Sequence, residues 1–190
     1  MGTILCFIPE QHADFESVLA LNMLDGTNGH VVRSVGFTHE PVTAQSGLKL
    51  AAELTLEEAA NLSDVEALIM PGGPLIERSR RLTDFILSLH ERKVLLAAIC
   101  FAPQYLARCG LLDTHRYTTS CTPERVQKAG MTDFFPRHMY ADERVVIDGN
   151  IITAKGRAFV DFAFAIARYL GDTAGHEAEY DKDYREITNR

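Results

Sequence analysis

The sequence has no run of apolar residues approaching the roughly 18 that a membrane-spanning helix needs. It has no basic excess either. Nineteen lysines and arginines stand against 26 aspartates and glutamates, a net charge of −7. General nucleic-acid and anionic-membrane surfaces want a basic patch, so neither partner is expected. The four cysteines, Cys6, Cys100, Cys109 and Cys121, include no C-x-x-C pair. That argues against a zinc ribbon or a thioredoxin-type motif, and no metal is expected. There is no G-x-G-x-x-G, no Walker motif and no Ser/Thr-rich loop after the first apolar run. A phosphate-bearing cofactor therefore has no recognisable cradle, and no cofactor is expected. The opening "MGTILCFIPEQ" has no basic n-region, and its apolar run stops at Pro9. It does not read as a signal peptide, so a cytoplasmic protein with free thiols is the expectation.

What is present is ordinary in amount and ordered in pattern. The chain has 190 residues and a mass of 21.1 kDa, with 46% hydrophobic and 24% charged residues. That suits one domain with a sizeable core. The expected division is a single domain over 1–172 and a helical or flexible tail over 173–190. Short apolar runs at 3–8, 30–37, 65–70 and 94–99 read as strands. Between them lie helical segments at 14–24, 79–93 and 102–110. "DGTNG" (25–29) reads as a turn, and "PVTAQSGLKLAAEL" as a small hairpin or irregular excursion. Thr55 with Glu58 forms a capping box for a short helix. "RYTTSC" (116–121) reads as a possible strand, followed by a helix from Thr122-Pro123. Asp148-Gly149 signals a hairpin within 144–156, before a helix over 158–171. Strands alternating with helices mean a largely parallel sheet covered on both faces. Ligands then sit beyond the carboxyl ends of the strands.

Three features fall at such ends. Cys100 ends the most uniformly apolar strand, "VLLAAI", just before a helix. A sharp strand-to-helix turn would lift a nucleophile out of the core and favour thiolate near the helix start. A cysteine can equally be a small buried hydrophobe, and position alone leaves the two open. "MPGGP" follows another buried strand, and Gly72-Gly73 lets backbone amides approach a ligand. Beside a cysteine elbow, the amides of Gly73 and Phe101 could form an oxyanion hole. Glu16 lies in the first turn of the first helix, where a carboxylate is favoured anyway, and Asp14 serves as N-cap. If Glu16 instead faces the sulfur as a protonated acid, it would stabilise a thiolate.

Together "ADFES", "ALIMPGG", "LLAAICFAP", "TTS" and "DGNIITAKGRAFVDFAFAIA", in this order, resemble the ThiJ/PfpI family over about residues 3 to 171. The family includes the Parkinson's-disease-linked stress protein and an archaeal intracellular protease. The resemblance implies a flavodoxin-like three-layer α/β/α sandwich with a nucleophile elbow, usually a homodimer. It implies Cys100 as nucleophile and Glu16 as its acid, with Gly73 and Phe101 as amide donors. It also places Gly72, Ser120 and the "TAKGRA" turn with Gly156 near a pocket.

The chain departs from the family where a histidine would act. Phe101 follows the cysteine where protease-like members carry histidine, and Ser120 stands where the stress-protein branch has one. Among the histidines, His12 and His138 are placed to approach the site, though each reads first as a surface residue. A Cys-His-Glu triad is not evident. Glu16 stands where isonitrile-hydrating relatives use aspartate. Two functions compete. One is an enzyme acting on a small electrophilic carbonyl or amide, of amidase, hydrolase or glyoxalase type. The other is a non-catalytic oxidative-stress sensor using the same thiol. "MPGGPLIERSRR", with Arg78, Arg80 and Arg81, and "DFFPRHMY" are the stretches expected to shape the pocket.

Overall fold

The computed structural model describes residues 2–25 and 29–189. Residues 26–28 of the expected turn lie outside the described residues. The elements run β1 (Thr3–Phe7), α1 (Phe15–Leu24), β2 (Val31–Gly36), β3 (Val42–Thr43), β4 (Lys49–Leu50), β5 (Leu54–Thr55) and α2 (Leu56–Ala60). Next come β6 (Val65–Met70), α3 (Arg80–Glu91), β7 (Leu95–Ile99), α4 (Pro103–Arg108) and α5 (Pro123–Lys128). β8 (Val145–Asp148), β9 (Ile151–Ala154), α6 (Phe159–Leu170) and α7 (Glu177–Thr188) complete the chain. The main sheet has seven strands in the order β5-β2-β1-β6-β7-β9-β8. Every pair in it is parallel except β8 with β9, the hairpin that turns at Gly149 with φ +59°.

The central strands bury both faces. On β1, Leu5 and Phe7 join one core with α2, α3 and α4, while Ile4 joins a second with α1 and α6. β6 and β7 alternate in the same way: Leu68, Met70, Leu96 and Ala98 face one side, and Ile69, Leu95 and Ile99 the other. This is a three-layer α/β/α sandwich. Each large side chain so buried contributes roughly 1.5–3 kcal/mol. The chain steps outward from β1 to β2, then returns to β6 on the other side of β1. That reversal opens a crevice at the carboxyl ends of β1, β6 and β7, the general ligand position in such sheets.

One expectation fails locally, and another holds only in position. Residues 116–121 form no strand; only a single bridge pairs Tyr117 with Tyr140. The amides there go elsewhere: Thr118 N–H to Thr153 Oγ1 at 2.9 Å, Ser120 N–H to the Cys100 carbonyl at 2.9 Å, and Cys121 N–H to Thr119 Oγ1 at 3.1 Å. Asp14 stands at the N-cap position of α1 as expected but makes no side-chain capping bond; its carboxylate accepts the Ser46 hydroxyl at 2.5 Å instead. The Thr55–Glu58 capping box is present in full.

Candidate active site

Cys100 is the first residue past β7 and has φ +64°, a left-handed conformation rare for a side chain with Cβ. Such strain costs on the order of 1–3 kcal/mol and needs a frame to hold it. Here Cys100 N–H donates to the Ala154 carbonyl at 2.8 Å. Its own carbonyl accepts from Ser120 N–H at 2.9 Å and from the Thr119 hydroxyl at 2.7 Å. The turn aims the sulfur out of the sheet onto the floor of a cleft of about 690 Å³.

Glu16 reaches the same point from the β1 side. Helix α1 turns inward not its apolar residues Phe15 and Val18, which are 54% and 56% exposed, but Glu16 and Ser17. Glu16 is 4% exposed, and its Oε2 accepts the Gly72 N–H at 2.8 Å. The Ala13 amide in turn donates to the Gly72 carbonyl at 2.8 Å, so the loops after β1 and β6 are stitched together. Buried Gln104 on α4 fixes the far side of the second loop. Its Oε1 accepts from Ile76 N–H at 3.0 Å, and its Nε2 donates to the Pro74 carbonyl at 2.9 Å.

Two glycines clamp the Cys100–Glu16 pair. A Cβ on Gly72 would lie 2.6 Å from Glu16 Oε2 and 2.7 Å from Cys100 Cβ. One on Gly156 would lie 2.7 Å from Glu16 Oε1 and 2.9 Å from Cys100 Sγ. Ser120 Oγ accepts the Gly156 N–H at 2.9 Å, which leaves its own proton for the sulfur. Glu16, Cys100, Ser120 and Gly156 line the cleft together. Gly72 sits behind the pair. Gly73 packs against the backbone of Gln11 and His12, at 3.3 and 3.4 Å from where its Cβ would be. The Phe101 amide faces the sulfur.

The electrostatics tie the two acids into one unit. With Glu16 ionised, burial and then its carboxylate push the Cys100 thiol up to about 12; Ser120 and the Phe101 amide oppose this. Burial likewise pushes Glu16 above the ordinary carboxylate range. Two contacting anions are thus excluded near neutrality, and the pair keeps one proton between them. The other thiols are pushed up to about 11, each by burial first.

Neither expected histidine lines the cleft. His12 is buried, not on the surface, with Nδ1 2.7 Å from the Pro9 carbonyl. His138 is exposed on the turn Arg137–Met139. The stretches expected to shape the pocket contribute only Tyr140. Arg81 is engaged by Glu57 at 2.6 Å and Arg80 lies 3.5 Å from Asp84. The cations that do line the cleft are Arg125, Lys155 and Arg157. Spacing gave no sign of Arg125, whereas Lys155 and Arg157 flank the glycine of the "TAKGRA" turn. Among the described residues, no cluster of three or more histidine, cysteine or acidic side chains is arranged to hold a metal. No helix among them is long and apolar enough to cross a membrane.

Known proteins resemble this chain in sequence and in fold. The chain is 30% identical to an uncharacterized protein of Methanocaldococcus jannaschii over 136 residues, 68% of this chain and 62% of that one. It thus spans less than two thirds of that relative. It is 26% identical over 156 residues to a Pyrococcus abyssi protein named a deglycase, covering 80% of this chain and 89% of that one. The crystal structure of a DJ-1 superfamily protein from Agrobacterium tumefaciens superposes with a TM-score of 0.82 at 26% identity, over 100% of both chains. The DJ-1/PfpI family model matches residues 2–169, and with the elbow and its carboxylate in place the chain belongs to that family.

Proposed function

We propose that the protein is a cysteine-dependent enzyme acting on a small electrophilic carbonyl or amide, with Cys100 as nucleophile and Glu16 as proton carrier. The observation that carries this is the strained elbow: a thiol held at φ +64° on a cleft floor, in contact with a buried carboxyl. No histidine is needed. Glu16 is almost wholly buried and, besides the sulfur, accepts the Gly72 amide. Cys100 is only partly buried and faces two donors, the Ser120 hydroxyl and the Phe101 amide. The single negative charge is better solvated on sulfur and the proton better kept on Glu16.

Aldehyde chemistry suits this pair better than peptide hydrolysis, where an amine must leave with help from a strong acid. With methylglyoxal, Sγ bonds to the aldehyde carbon and the carbonyl electron pair moves to oxygen, which takes the Glu16 proton. The Glu16 carboxylate then takes the hemithioacetal C–H proton, and the electron pair passes through an enediol. The proton returns to the neighbouring carbon while the hydroxyl proton moves to the former ketone oxygen, giving a thioester. Water cleaves the thioester to lactate and restores the thiol. The amides of Gly73 and Phe101 are the proposed oxyanion donors, in a protein proposed to work as a cytoplasmic homodimer. The deglycase name of the Pyrococcus abyssi relative supports carbonyl chemistry. The test is lactate formation from methylglyoxal; undiminished turnover in Cys100→Ser would sink the mechanism.

One observation favours a second reading, an oxidative sensor. Cys6 and Cys121 are buried, whereas Cys100 opens on the cleft. Mild peroxide is expected to oxidise Cys100 first, as read by peptide mass. Earlier oxidation of Cys6, Cys109 or Cys121 would count against both readings.

A further inference from the structure

The cleft wall carries more positive charge than its own acids neutralise, in a protein whose net charge is −7. Arg125 is held at the cleft wall by two contacts. Its Nη1 donates to the Ser120 carbonyl at 3.2 Å, and its guanidinium lies 5.4 Å from the centre of the Phe101 ring. Arg157 follows Gly156, the glycine whose Cβ would meet Cys100 Sγ at 2.9 Å. Neither guanidinium has an acidic partner among the described residues, whereas Arg81, Arg116, Arg137, Arg144 and Arg168 are all ion-paired. The third cation, Lys155, is matched by Asp142, which also accepts from the Tyr140 hydroxyl at 3.1 Å. Glu16, the only other acid in the lining, is engaged with Cys100. Phe15 and Phe159, which meet edge to face at 5.8 Å, add apolar surface to the same lining. A volume of about 690 Å³ exceeds what a three-carbon aldehyde fills.

We infer that the substrate is a carbonyl compound carrying a carboxylate or phosphate, held by Arg125 and Arg157 while its reacting carbon meets Cys100. This rests on Cys100 being the nucleophile and adds the charge of what it attacks. A planar guanidinium fork matches either oxyanion group.

Alkylation of Cys100 by iodoacetate and iodoacetamide reads the charge preference directly. In both, Sγ bonds to the methylene carbon, the C–I bond breaks and iodide leaves. The ratio of the iodoacetate to the iodoacetamide rate constant is expected to exceed that of free cysteine. Arg125→Gln and Arg157→Gln should each lower the ratio about five-fold, the weight of one exposed charge near 4 Å. Asp142→Asn, which frees Lys155, should raise it. A ratio equal to that of free cysteine and unmoved by these variants overturns the inference. Failure of both reagents overturns the nucleophile instead. In that case the Cys100→Ser protein, titrated with acetate and with inorganic phosphate by protein NMR, still reads the anion site. Saturable shifts lost in the Arg125→Gln background support it, and linear shifts overturn it. The anion that saturates at lower concentration distinguishes carboxylate from phosphate.

Discussion

Cys100→Ser is expected to lower methylglyoxal turnover by a factor on the order of 10³ or more, while the protein melts close to the wild type. Serine keeps the shape of the side chain. The bonds that hold the elbow run through its backbone: N–H to the Ala154 carbonyl, and carbonyl to Ser120 N–H and Thr119 Oγ1. The frame therefore survives the exchange. What is lost is acidity. A hydroxyl cannot give up its proton to a carboxyl as a thiol can, so the shared-proton state vanishes with the nucleophile. A variant that melts normally and turns over normally would leave the cleft without its proposed chemistry. One that loses both would show only that the elbow needs sulfur for packing.

Gly72→Ala is expected to cost several kcal/mol of stability and to remove Cys100 alkylation as well. Its methyl would stand 2.6 Å from Glu16 Oε2 and 2.7 Å from Cys100 Cβ, distances real Cβ atoms do not show. Neither neighbour can step aside easily. Cys100 Cβ is fixed by a left-handed backbone, and Glu16 Oε2 is bonded to the Gly72 amide itself at 2.8 Å. Overpacking of this kind typically costs about 1–3 kcal/mol, with the broken buried hydrogen bond adding a further ~1–3 kcal/mol. Gly73→Ala supplies the contrast. Its methyl would meet Gln11 and His12 backbone atoms at 3.3 and 3.4 Å, so a smaller loss is expected. Thermal melts of the two proteins check the order. Equal loss in both would mean that the loop as a whole, not the Cys100–Glu16 contact, sets the sensitivity.

Much of the molecule was legible in the sequence because its signals are local. The apolar runs of β1, β6 and β7, the Thr55–Glu58 box and the Asp148-Gly149 turn each carry their own structural cause. The site was legible as a set of strand ends, since topology brings together whatever follows β1, β6 and β7. What escaped depends on how the folded backbone turns each residue and on which partner it then meets. Phe15 and Val18 have core-like spacing, yet α1 turns Glu16 and Ser17 inward because Gly72 offers the carboxylate an amide. Residues 116–121 look like a strand, but the elbow carbonyl and two threonine hydroxyls take up their hydrogen bonds. Arg125 lies on a short helix with no motif to flag it, and only the fold brings its guanidinium to Phe101 and Ser120. His12, set on the loop after β1, turns out buried against the Pro9 carbonyl.

Cys100 and Glu16 are expected to hold one proton between them, with the charge on sulfur. Ultraviolet thiolate absorbance followed across pH, in the wild type and in Glu16→Gln, tests this most directly. The wild-type signal is expected to rise well below the range of free cysteine, near about 8.5. It should move upward in Glu16→Gln, because an amide is a weaker donor than a carboxylic acid. A wild-type signal that emerges only toward about 12, where burial and an ionised Glu16 push the thiol, would place the charge on the carboxylate and contradict the account.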